Sequence, residues 1–120
     1  MEVGRVDFIG IPTQDMERAM GFYVDTLGLR QDQHSKTEFW AGDTCFTLWK
    51  PEWAGREWAP ARTGLITLHV DDVEAARAEL EATGVEFERE TVDTGVCHFA
   101  FFSDPDGNSL ALHHRYAPYE

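Results

Sequence analysis

The feature that most restricts how this chain can fold is a repeat, in which two stretches match position for position at an offset of 56 residues. One runs from Asp15 to Gly28 and the other from Asp71 to Gly84, and an aliphatic residue follows each, Leu29 and Val85. Both stretches read as helices. Over residues 15–27, Met16, Ala19, Met20, Tyr23 and Leu27 recur at spacings of three and four and mark one buried stripe. Asp15 suits the N-cap and Gly28 the C-terminal stop. Over residues 71–83 the stripe is Val73, Ala76 and Leu80, with Asp71 as cap, Glu74 completing a capping-box-like pair, and Gly84 as stop. An aliphatic strand precedes each helix, over residues 6–11 and 65–70. Short strands follow, broken by turns at Gly42-Asp43 and at Asp104-Pro105-Asp106-Gly107-Asn108. A fixed offset signals internal duplication. The expectation is an α+β fold of two tandem βαβββ modules, about 4–50 and 64–116, joined by a linker at about 51–63 within a single domain over 1–120.

Strand alternation sorts the side chains into two faces. Ile66, Leu68 and Val70 oppose Leu65, Thr67 and His69; Leu110 and Leu112 oppose Ser109, Ala111 and His113; Phe46 and Leu48 oppose Cys45, Thr47 and Trp49. One face is aliphatic and must pack on the helices. The other mixes small, polar and aromatic groups, which suits a ligand cavity, a face wetted by solvent or a dimer contact.

Composition removes several classes of function. The formal charge of -12, from 10 basic and 22 acidic residues, argues against a nucleic-acid partner, which needs clustered Lys and Arg. It favours a cationic ligand or simply a solvated acidic surface, since Glu74, Glu79, Glu81, Glu86, Glu88 and Glu90 fall on or just after the second helix. No apolar run is long enough to cross a bilayer, and no signal peptide is visible. Cys45 and Cys97 each sit in an apolar, strand-like run, as buried small hydrophobes in a reducing cytoplasm do.

Phe22-Tyr23, Leu27-Gly28-Leu29, Val70-Asp71-Asp72-Val73 and Asp104-Pro105-Asp106-Gly107-Asn108, in this order and spaced as a repeat, carry a family signature. On these motifs the chain resembles the vicinal oxygen chelate superfamily. That group includes glyoxalase I, extradiol dioxygenases, fosfomycin-modifying enzymes, methylmalonyl epimerase and bleomycin-resistance proteins. The resemblance implies a glyoxalase/bleomycin-resistance-like fold, with curled mixed sheets forming a cup, and a homodimer. In metal-using members four ligands line the cup, and the matching positions here are Phe8, Thr47, Leu65 and Ala111. Shifting each by one brings in only Asp7 as a possible ligand, on the helix-facing parity. No metal and no cofactor are therefore expected.

The implied cup is lined by Phe8, Trp40, Thr47, Trp49, Leu65, Thr67, His69, Ala111 and His113, with His98 and Phe102 from the seventh strand. His114 has the opposite parity and is expected to be exposed. Trp53 and Trp58 lie in the linker, either overhanging the mouth or filling core or dimer contact. Two functions follow. One is a metal-independent binding protein that sequesters an aromatic or cationic small molecule, such as an antibiotic. The other is a glyoxalase-like lyase or isomerase in which His69, His98 or His113 takes a proton, with or without a metal. Each histidine can equally be a satisfied or rim residue, and a filled cup with a protein partner is a third possibility.

Overall fold

A computed structural model describes residues 1–118; residues 119 and 120, the end of the expected domain, lie outside it. The chain divides into two compact units, Met1–Pro60 and the residues from Ala61 onward. Each has its own four-stranded mixed sheet and its own main helix, in the βαβββ order that the repeat predicts.

In the first unit the elements are β1 (Ile9–Pro12), α1 (Met16–Met20) continuing into a π-helical segment (Gly21–Thr26), β2 (Arg30–Gln31), β3 (Glu38–Ala41) and β4 (Thr44–Trp49). The sheet order is β1-β4-β3-β2, with β1 parallel to β4 and the other pairs antiparallel. Tyr23 of the helix stacks on Phe39 of β3 at 4.6 Å, and Phe39 stacks on Phe46 of β4 at 5.4 Å. With Ile11, Ala19 and Leu48 these rings form the buried core between helix and sheet.

The second unit contains β5 (Ile66–His69), α2 (Val73–Ala82), β6 (Val92–Asp93), β7 (Cys97–Ser103) and β8 (Ser109–Arg115), in sheet order β5-β8-β7-β6. Val73 and Leu80 of α2 are buried, as are Ala100, Phe102, Leu110 and Leu112 of the sheet. The turn between β7 and β8 is held from inside. Buried Asp104 accepts hydrogen bonds from the backbone N–H groups of Asp106 and Asn108 and from Asn108 Nδ2, and Asn108 Oδ1 accepts from the Ala61 N–H at 2.7 Å. One buried polar cluster thus fixes both the turn and the entry to this unit.

Three boundaries differ from the expectation. The strand expected over residues 6–11 is Ile9–Pro12, because only there does it find a partner, with Ile9 opposite Phe46 and Pro12 opposite Trp49. Asp72, not Asp71, caps α2: its carboxylate accepts from the Ala75 N–H at 3.0 Å, while Asp71 lies 3.2 Å from His69 Nε2. Two adjacent aspartates have the same capping chemistry, and the extended backbone at Asp72 decides between them. The third difference follows from the second. Strands and caps repeat at 57 residues (Ile9 with Ile66, Asp15 with Asp72), whereas the closing glycines Gly28 and Gly84, both at positive φ, repeat at 56. The first helix carries one residue more and absorbs it as a π turn, in which the Leu27 N–H bonds to Phe22 O at 2.9 Å.

Candidate functional site

Alternation along β3 and β4 leaves one face of the first sheet turned away from its helix. Opposite the buried Phe39, Phe46 and Leu48, the register places Arg30 beside Trp40, Trp40 beside Cys45, Glu38 beside Thr47, and Gly10 beside Thr47. Thr47 Oγ1 donates a short hydrogen bond to the Glu38 carboxylate, which ties the middle of this face together. Trp40 donates its indole N–H to Asp32 at 2.9 Å, and that bond, with the His34 N–H, holds the Asp32 carboxyl below its ordinary range. Trp49 lies against β1, where a Cβ on Gly10 would come within 3.0 Å of the indole Nε1. A side chain at position 10 would have to move that edge of the ring by a few tenths of an ångström.

A guanidinium covers each of these two indoles. Arg30 Cζ lies 5.5 Å from the Trp40 ring and Arg56 Cζ 5.7 Å from the Trp49 ring. At the end of the face near the β3–β4 turn, a cavity of about 640 Å³ is lined by Phe8, Ile9, Trp40 and Cys45 together with Arg5 and Asp43, among others. Phe8 and Trp40 therefore line one cavity. Cys45 is buried, and burial raises its thiol pKa above the ordinary value, so it is a protonated wall rather than a nucleophile. Glu38 was not among the residues expected here. The alternation of Glu38 and Trp40 against Phe39 is present in the sequence, but only the antiparallel register of β3 and β4 places Glu38 beside Thr47.

In the second unit Thr67 and His69 stand on the side away from α2, opposite Ala111 and His113 of β8, and Leu65 is exposed just before the strand. Two expected members of this face are not on it. Phe102 pairs with Leu110 and is fully buried against Phe87 on the helix side. His98 pairs with His114 on that same side, 3.4 Å from Asp93 and with its ring 4.9 Å from Tyr116. Phe99 and Phe101 take the open face instead, stacked on one another at 5.6 Å, with Phe99 4.7 Å from the His113 ring. Register through the turn settles the parity: Ser103 lies opposite Ser109, which sets Phe99 opposite His113.

His113 is half-buried, and burial, followed by its neighbours His69, His114 and Arg115, lowers its pKa below the ordinary 6.5. His114 is not exposed as expected; it is half-buried, and its Nδ1 is shut from solvent without a hydrogen-bond partner. Its ring lies 5.7 Å from that of His69. Of the linker tryptophans, Trp53 is exposed in a 3-10 turn (Pro51–Ala54) and Trp58 is half-buried.

The donor set does not fit a divalent metal. At the positions where the resemblance puts ligands, the first unit offers an exposed phenyl ring and a hydroxyl, and the second an exposed isobutyl group and a buried methyl. Among the described residues no three His, Cys, Asp or Glu side chains stand close enough together to hold a metal ion. Borderline and hard cations need several nitrogen or carboxylate ligands.

Comparison with known proteins gives a consistent result. The family model of the Glyoxalase/Bleomycin resistance protein/Dioxygenase superfamily matches residues 5–112. The uncharacterised protein YaeR of Escherichia coli (strain K12) is 32% identical, over 92% of this chain and 96% of its own. TnmS3, an antibiotic binding protein from Streptomyces sp. CB03234, is 30% identical, with a TM-score of 0.72 over 96% of this chain and 98% of its own. A superfamily member from Sphaerobacter thermophilus is 28% identical, with a TM-score of 0.76 over 92% and 97%.

Proposed function

The chain belongs to the glyoxalase/bleomycin resistance protein/dioxygenase superfamily, and from that premise we propose that it is a metal-independent small-molecule-binding protein that holds a planar aromatic compound, such as an antibiotic. The observation that carries this reading is the open face of the first sheet. Trp40 and Trp49 stand on it on either side of the Glu38–Thr47 hydrogen bond, where a metal-using relative would hold part of its ion. Indole edges supply apolar contact, and the carboxylate–hydroxyl pair supplies a polar anchor. The likeness to an antibiotic binding protein at 30% identity supports the same class of ligand. Titrating intrinsic tryptophan fluorescence with planar aromatic antibiotics tests it. Saturable quenching that weakens in Trp49→Leu is expected, and no quenching by any compound sinks the proposal.

The proposal includes a homodimer and a cytoplasmic site of action. Val6, Phe8 and Leu65 are exposed apolar groups that a second copy can cover, and two buried free cysteines suit a reducing compartment. Sedimentation of the purified protein at micromolar concentration reads the dimer directly.

A second reading, a lyase or isomerase, is favoured by His113, whose lowered pKa keeps it neutral and able to accept a proton at pH 7. Exchange of the carbon-bound proton of α-hydroxycarbonyl compounds in heavy water, lost in His113→Gln, would establish it.

A further inference from the structure

The geometry points to a ligand that carries an acidic group, read by Arg30 and Arg56 on their tryptophan supports. This rests on the reading of the first unit's open face as a binding surface and names the charge of what it binds. Among the described residues, Arg5, Arg62 and Arg77 are ion-paired with Asp7, Glu88 and Glu81. Arg30 and Arg56 are exposed and make no ion pair there, in a chain with 22 carboxylates. Each is placed over an indole ring instead.

Stacking has two consequences. The electron-rich face of the indole is already occupied by a cation, so a cationic ligand meets a covered ring and a like charge beside it. The guanidinium is planar, and lying over a ring restrains it while its edge N–H donors stay open to a carboxylate fork. Both indoles are themselves restrained, Trp40 by its bond to Asp32 and Trp49 by its seat on Gly10.

The overall charge of -12 argues the other way, towards a cation. Screening decides between the two. At physiological salt, charges beyond about 8 Å are largely screened, so the groups on the face itself govern recognition. Of the carboxylates on or beside the face, Glu38 is hydrogen-bonded by the Thr47 hydroxyl and Asp32 by the Trp40 indole and the backbone N–H groups of His34 and Ser35, while Asp43 lies at the cavity end. Bonds from neutral donors leave those carboxylates charged, so an anion is read at the two guanidinium groups, whose N–H donors no described carboxylate takes up. The strand rise of about 3.3 Å per residue sets the Trp40 and Trp49 ends of the face roughly 13 Å apart. Each end of the face therefore offers one arginine, and an acidic group is read at one end or the other.

Three probes of one shape test this: 2-naphthoate, 2-naphthylmethylammonium and 2-naphthylmethanol. Each is titrated into the full chain by calorimetry and by the indole N–H resonances of Trp40 and Trp49. We expect the naphthoate to bind at least about tenfold more tightly than the ammonium compound, an advantage that shrinks as salt is added. Arg56→Gln and Arg30→Gln, taken together, should bring naphthoate down to the affinity of the alcohol, and Lys at both positions should recover only part of the difference. If the ammonium compound binds as tightly as the naphthoate while the alcohol also binds, the anion assignment is wrong and the aromatic-binding proposal stands. If none of the three moves the indole resonances, both fall.

Discussion

Single residues in this chain act through what they leave unpaired. Asn108 is buried and its side chain bonds to the Asp104 carboxylate at 2.7 Å and to the Ala61 N–H at 2.7 Å. Asn108→Ala removes both partners at once, and the expected loss is about 2–3 kcal/mol of stability, read from the urea midpoint. His113 gives a pH dependence with a definite sign. Its folded pKa is lowered, so as the pH falls below the ordinary 6.5 the unfolded chain takes up the proton first. Stability present above 6.5 is then lost as the pH falls towards the lowered value. The groups that face it, His69, His114 and Arg115, add in the same direction. His113→Gln should therefore lose less stability than the native chain between about pH 7 and about pH 5, and an equal loss in both would remove His113 as the cause. At this scale the sequence was partly legible. Parity puts Thr47, Trp49, Thr67, His69 and His113 on the open faces, but a carboxylate on a short strand, such as Glu38, reads as surface until its antiparallel neighbour is known.

Elements show where local pattern runs out. The run Cys97-His98-Phe99-Ala100-Phe101-Phe102-Ser103 contains aromatics on both parities, so hydrophobic alternation alone has two solutions. Pairing chooses one of them, with Ala100 and Phe102 against the helix and Phe99 and Phe101 outward. Phe102→Ala should cost about 3–5 kcal/mol, and Phe101→Ala less than roughly half of that; similar losses would contradict the register. The first helix makes the related point for length. Its stripe of Ala19, Tyr23 and neighbours is plain from the sequence, yet the π turn that absorbs one extra residue is not. Nothing in Gly21–Thr26 marks it, and it becomes necessary only because Asp15 and Gly28 must both hold their places relative to the sheet.

Across the whole molecule, the duplication and the donor set carry the functional argument. A superfamily member that depended on a bound divalent ion would lose several degrees of melting temperature on chelation, since an ion that binds only the native state stabilises it. Prolonged dialysis against a chelator is expected to leave both the melting temperature and the fluorescence titration unchanged, and a stoichiometric transition metal in tag-free protein would overturn that. The sequence by itself determined the two βαβββ units, their helices, their closing glycines and the hydrocarbon at three of the four ligand positions. The units, helices and glycines follow from periodicity and residue identity, which need no partner to be read, and the ligand positions are those that the family resemblance implies. The tertiary structure alone decided which aspartate caps α2, which phenylalanines are buried, and that Arg30 and Arg56 lie over Trp40 and Trp49. Each of these depends on which segment of backbone lies alongside, and strand register, unlike periodicity, is a relation between residues far apart in the chain.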